Sequence, residues 1–148
     1  MLTNNWNSAM YRVLTGNNAP TTSAKRIDES PNYLADFRLH KLFIGTGTTK
    51  PKKTDYKLES EISSDLYSAI ITDVITTDFE NENSVCKITA IVSNLSAENI
   101  SVSEIGIAGT DSSQNTASYQ LYLFAREVLD NPIVIAPGAS KAFEIKLA

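Results

Sequence analysis

Beyond Tyr33 the chain holds no amphipathic stretch long enough to serve as a crossover helix between parallel strands, and this limits the available folds more than any other feature. In place of such helices stand short runs rich in Ile, Val, Thr and aromatic residues, which suit a pleated surface, separated mostly by polar turns of four to ten residues. Residues 38–44 form one run, closed by Gly45-Thr46-Gly47, and residues 66–79 a longer one. Residues 85–94 alternate, placing Cys86, Ile88, Ala90 and Val92 on one face. In residues 100–108, Ile100 and Val102 have one parity and Ile105 and Ile107 the other, so a bulge near Glu104 is needed to keep all four inward. Residues 119–129 alternate Leu121, Leu123 and Ala125 against Tyr122 and Phe124. Residues 132–136, the turn Pro137-Gly138 and residues 142–147 then end the chain as strand, turn and strand. The expected fold is mostly β, an antiparallel β-sandwich or jelly roll of six or seven strands over residues 37–148. Residues 55–58 have room for one helical turn at most.

Residues 1–36 read differently. The convincing helix spans residues 3–14, capped by Thr3, with Trp6, Met10, Val13 and Leu14 at helical spacing. Gly16-Asn17-Asn18-Ala19-Pro20 ends it, and residues 15–36, rich in Thr, Ser, Asn, Asp and Pro, read as an extended arm that becomes ordered on assembly. Trp6 and Tyr11 are the aromatic anchors such an arm would use.

Charge is split along the chain. Up to Lys57 there are nine Lys/Arg against four Asp/Glu; from Leu58 onward there are four against thirteen, giving +5 and −9 and the net −4 of the whole. The excess of acid argues against nucleic acid as the main partner, while the split permits contact between the basic part of one copy and the acidic part of the next. Lys50, Lys52 and Lys53, in a basic loop after the glycine turn, are the candidate contact residues on the basic side. Residues 1–10 lack the basic and apolar regions of a secretory signal, and no run of 18 apolar residues exists, so synthesis in the cytoplasm and no membrane partner are expected. The Asn-x-Ser matches at Asn94 and Asn99 then carry little weight as glycosylation sites. One cysteine, Cys86, leaves no intrachain disulfide and no cysteine-based zinc site.

Each candidate for chemistry fails on a requirement. His40 is alone, with no Gly-x-Ser-x-Gly serine and no second histidine at metal-ligand spacing. Gly45-Thr46-Gly47-Thr48-Thr49-Lys50 lacks the glycine before the lysine that a phosphate-binding P-loop has, and Pro51 follows where Ser or Thr belongs. Glu59 and Glu61 would point the same way from an extended segment, but no calcium-loop pattern accompanies them; surface charge explains them better. Glu104, among apolar residues in Ser103-Glu104-Ile105-Gly106, is expected either to turn outward at the bulge or to pair with Arg126 on another strand. Tyr119 and Tyr122 are the residues a glycan-stacking face would use, although three apart they fall on opposite faces. The expectation is a binding protein without catalytic residues, cofactor or metal.

The block LFIGTGTTKPKKTDYKLESEI resembles a segment of tailed-bacteriophage virion proteins, in which a strand ends in Gly-x-Gly, followed by Thr-x-Pro and Asp-Tyr-x-Leu. ISVSEIGIAG and LYLFAREVLDNPIVIAPGASKAFEIKL look like the ending of the same group, and MLTNNWNSAMYRVLTG is similar to its openings. The resemblance covers most of the chain except residues 17–36 and implies a structural subunit of the tail, collar or head surface, located in the virion. Its partners would be other virion proteins and copies of itself. A host-surface or glycan-binding sandwich module is the alternative.

Overall fold

The computed structural model describes residues 1–6, 38–76, 86–110 and 121–147. Their strands are β1 (Arg38–Gly45), β2 (Tyr67–Thr76), β3 (Cys86–Asn94), β4 (Ile100–Thr110), β5 (Leu121–Ile135) and β6 (Ser140–Leu147). Among the described residues the chain is mostly β, with every strand pair antiparallel and two three-stranded sheets ordered β1-β4-β5 and β2-β3-β6. The chain changes sheet between β1 and β2, between β3 and β4, and between β5 and β6, as a sandwich requires.

Alternation explains the central strand of the second sheet. In β3 the side chains of Ile88, Ala90 and Val92 are fully buried, and their β6 neighbours Phe143 and Ile145 join them. Leu42, Ile44, Ile100, Val102, Ile105, Ile107, Ala125 and Ile135 supply the facing layer from the first sheet. Each such isoleucine withdrawn from water contributes about 1.5–3 kcal/mol before entropic costs are set against it. Tyr67, at the start of β2, reaches across to the first sheet, where its hydroxyl accepts a hydrogen bond from the Ile44 amide at 3.4 Å. Burial pushes that hydroxyl's pKa up to about 12, so it stays protonated across the physiological range.

The bulge expected near Glu104 is present. The β4–β5 register passes from Val102 opposite Ile133 directly to Glu104 opposite Val128, so residues 129–132 face Ser103 alone. Two residues instead of one separate Val102 from Ile105, and Ile100, Val102, Ile105 and Ile107 all enter the same core. The interruption near Pro132, which reads in sequence as the gap between two strands, is therefore an irregularity inside one long strand, β5. No helical turn occupies residues 55–58; the short 3₁₀ turn lies at Ser64–Leu66 instead. Pro137-Gly138 makes the expected turn, with Gly138 at φ 73° and the Ala139 amide bonded to the Ala136 carbonyl at 3.0 Å.

Asn94 closes the end of the sandwich beside this turn. Its side-chain nitrogen donates to the carbonyls of Glu98 (2.7 Å) and Ile135 (2.8 Å), and its amide oxygen accepts from Ser96. That nitrogen is committed inside the fold, consistent with discounting Asn94 as a glycan acceptor.

The N-terminal helix and arm are not established. Residues 4–6 are helical, but the rest of the expected helix, Tyr11 and the 15–36 connection lie outside the described residues. What the described part does show is attachment: Leu2 bridges Ala125 of β5, the Thr3 amide donates to the Phe124 carbonyl at 2.7 Å, and the Arg126 amide donates to the Met1 carbonyl at 2.9 Å.

Deleting Ser103 would restore regular pleating to β4 and turn either Ile100/Val102 or Ile105/Ile107 out of the core. The deletion is expected to abolish cooperative unfolding in urea and the dispersed amide spectrum, while Ser103→Ala costs no more than about 1–2 kcal/mol. A deletion variant that unfolds cooperatively near the parent midpoint would show that the bulge does not set the register.

Candidate functional site

Residues 46–60 leave the end of β1 and return to its side, where Glu61 bridges Gly45 and the Ile62 amide donates to the Ile44 carbonyl at 3.0 Å. The excursion lies over the outer face of the first sheet. Leu58 packs there with Phe43, Ala108 and Leu123 in a second small core. Thr46 and Ser60 tie its base together through a backbone bond of 2.8 Å and a hydroxyl pair at 3.0 Å.

Glu104 holds this loop down. Its carboxylate is fully buried and accepts backbone amides from Gly47 (3.1 Å), Glu59 (3.1 Å) and Ser60 (2.7 Å), together with Arg126 Nε at 2.7 Å. Backbone amides turned toward one point form an anion-binding concavity. The Gly-x-Gly turn thus does cradle an anion, and the anion is the protein's own carboxylate. The two glycines are required by this closeness. A Cβ on Gly45 would come within 2.5 Å of both Glu104 Oε1 and the Ser60 carbonyl, and one on Gly47 within 2.6 Å of Oε1.

Arg126 is the hub of the charges. With 3% of its side chain exposed, it bonds Glu104 through Nε, Asp55 through Nη1 at 2.9 Å and Glu59 through Nη2 at 3.3 Å. Burial alone would lower its pKa, but Glu104 and then Asp55 outweigh that and the net direction is upward. Glu59 also receives the Thr49 amide at 2.8 Å and the Thr49 hydroxyl; that hydroxyl bond, followed by the amide bond, holds its carboxyl below the ordinary range. Among the described residues no buried side-chain nitrogen or oxygen lacks a partner. A cavity of about 380 Å³ opens beside the cluster, lined by Lys50, Lys52 and Lys57 as well as Asp55, Glu59 and Arg126.

The expected Glu104–Arg126 pairing is therefore present, and its outward alternative is not. Glu59 and Glu61 separate in role, the first bonding Thr49 and Arg126, the second supplying a backbone bridge. Lys50, Lys52 and Lys53 are exposed on the loop, and none makes an ion pair among the described residues. Trp6 packs edge-on against Phe124 within the chain, with ring centroids 6.0 Å apart. The Asn4 amide donates to the Lys53 carbonyl at 2.9 Å, which brings the N-terminal segment that carries Trp6 beside the basic loop. Tyr11 lies outside the described residues. Tyr122 is fully buried and offers no ring face to a sugar, which removes it from the alternative of a glycan-stacking face, and Tyr119 is outside the described residues. Sequence reasoning missed Asp55 and Thr49. The available signal was a lone acid in an apolar strand together with a Gly-x-Gly turn, which marks where a side chain and backbone crowd each other.

No protein-family model, curated protein or solved structure matches the chain.

Arg126→Met leaves Glu104 buried without its cation and is expected to cost about 3–5 kcal/mol in urea unfolding. Glu104→Gln retains one acceptor and should cost less, about 1–3 kcal/mol. Equal, negligible losses would mean that the pair contributes nothing to loop anchoring. For Glu59, whose folded pKa lies below the ordinary 4.5, the stabilising contribution is present above that value and lost as pH falls through the depressed one. The stability gap between the parent and Glu59→Gln should accordingly close on acidification below 4.5, and a gap that widens there would refute the assignment.

Proposed function

We propose that this chain is a repeated structural subunit of a tailed-bacteriophage particle, in the tail, collar or head surface, and that it acts by assembly with copies of itself and other virion proteins, not by catalysis. The reading rests on the resemblance, and one observation accords with it. The segments similar to virion proteins contain Gly45, Gly47, Asp55, Glu59, Glu104 and Arg126, and these residues, scattered over 82 positions, meet in one cluster that fastens the 46–60 loop to the sheet. In this chain the segments that carry the resemblance therefore form one physical unit of the fold and not a series of separate turns.

The cluster also suits the role. It holds an irregular loop in one conformation, so that the surface it displays loses little entropy on docking. The same loop carries Lys50, Lys52 and Lys53 into solvent. On this reading the chain is made in the bacterial host cytoplasm and resides in the virion.

Mass spectrometry of particles purified from the source phage, with a map of the assembled particle, tests the proposal. The chain is expected in stoichiometric, symmetry-repeated copies. Its absence from washed particles, with the protein present only in the infected-cell lysate, would overturn the assignment. Gly45→Ala, which crowds Glu104, should open the loop and speed tryptic cleavage after Lys52 and Lys53 by about tenfold or more, as the locally open population rises. Unchanged cleavage at those two bonds would show that the loop is not held by the cluster.

A further inference from the structure

The loop tip holds three lysines within four residues, and Lys50, Lys52 and Lys53 are all exposed. Beneath them the cavity of about 380 Å³ falls in the size range of small-ligand clefts, about 300–1,000 Å³. Two carboxylates in its lining, Asp55 and Glu59, are already engaged by Arg126, by the Lys52 amide at 2.9 Å and by Thr49. Their charge is therefore answered within the fold, and the tip lysines are left as the cations an incoming group would meet. Elsewhere on the described surface Glu61, Asp65, Asp73, Glu98 and Asp130 are exposed and make no ion pair among the described residues, and they outnumber the exposed lysines Lys141 and Lys146.

We infer that the loop tip and its cavity receive the acidic surface of a second copy of this chain, one carboxylate side chain entering the cavity between Lys50 and Lys52. This rests on the assembly role proposed above and specifies its contact. Charge complementarity favours a copy of the same chain. The part up to Lys57 carries +5 and the part from Leu58 onward −9, so each copy presents both halves of the contact. A polyphosphate backbone is disfavoured, because the whole chain is net negative. Since the tip lysines and the exposed acids are different residues of the chain, the contact is head-to-tail, and repetition either closes a ring or extends a filament. Anchoring by Glu104 prepares the tip for this, because a loop already fixed at Gly47, Glu59 and Ser60 has little freedom left to lose.

Sedimentation velocity of the full chain over a concentration series tests the inference. At low salt, association should grow with concentration, and it should fade at about 0.5 M NaCl, where the screening length falls to a few ångströms. The triple variant Lys50→Gln/Lys52→Gln/Lys53→Gln, its fold checked by circular dichroism, should associate at least about tenfold more weakly. Lys141→Gln, an exposed lysine on β6, should associate as the parent does. A poly-glutamate peptide should compete with association, and a poly-glutamine peptide should not. A single species at every concentration overturns the inference, as does an unaffected triple variant or an equal loss in Lys141→Gln. Poly-glutamate binding without self-association also overturns it, transferring the site to a foreign acidic chain. Absence of the protein from purified particles would sink the virion reading yet leave salt-sensitive self-association standing, so the two failures are separable.

Discussion

A carboxylate with no exposure to water is held in place by four donors, and much of the first sheet is arranged around it. Leaving Glu104 ionised in the interior without partners would cost several kcal/mol, so the fold depends on the three amides and one guanidinium that meet it. Those amides belong to the loop, not to the strand that carries Glu104. Burying the charge and closing the loop are therefore one event. The same requirement extends outward: Gly45 and Gly47 must lack a Cβ, Arg126 must be buried to reach Nε to the carboxylate, and Asp55 and Glu59 answer the guanidinium's remaining nitrogens.

The consequence for packing is an asymmetry between the sheets. The first sheet is covered on both sides, by the sandwich core within and by the loop without, where Leu58 meets Phe43, Ala108 and Leu123. Alternation consequently fails as a guide in β5, where Tyr122, Leu123, Phe124 and Ala125 are all buried in succession. The shift in register between Ile107 and Ala108 places Leu123 opposite Ala108 and passes over Phe124, whose carbonyl accepts the Thr3 amide and whose ring Trp6 meets edge-on. The second sheet keeps a solvated outer face, where Ile70 is 64% exposed and Lys87 pairs with Glu144 at 2.9 Å. Among the described residues the two sheets thus present different outer surfaces.

How much could be read in advance depended on the range of the cause. The opposite parities of Ile100/Val102 and Ile105/Ile107 are a local fact, so the bulge was legible. So was the Pro137-Gly138 turn, whose geometry follows from the two residues that form it. Glu104 stood out because an acid among isoleucines needs a partner, and Arg126 was identifiable as that partner. Asp55 was not, because 71 residues separate it from Arg126 and nothing in its own surroundings distinguishes it from an ordinary surface acid. Pro132 misled for a related reason. Proline normally ends a strand, yet here it falls in an irregularity where no ladder bond is required of it.

The sequence by itself determined the mostly β class, most of the strand positions, the break in β4 and the chemistry that Glu104 would demand. Each follows from side-chain period, turn residues or the cost of a buried charge, and all of these act within a few neighbouring residues. Only the tertiary structure decided which strands share a sheet, that residues 46–60 fold back over an outer face, and that the Gly-x-Gly turn encloses the chain's own carboxylate. The placement of the loop turns on contacts between residues far apart in sequence, among them Ser60 with Glu104, 44 positions apart, and Asp55 with Arg126, 71 apart. At such separations the cost of closing the chain is nearly the same for many pairings, and the pairing that satisfies every buried group is distinguished only when the whole fold is formed.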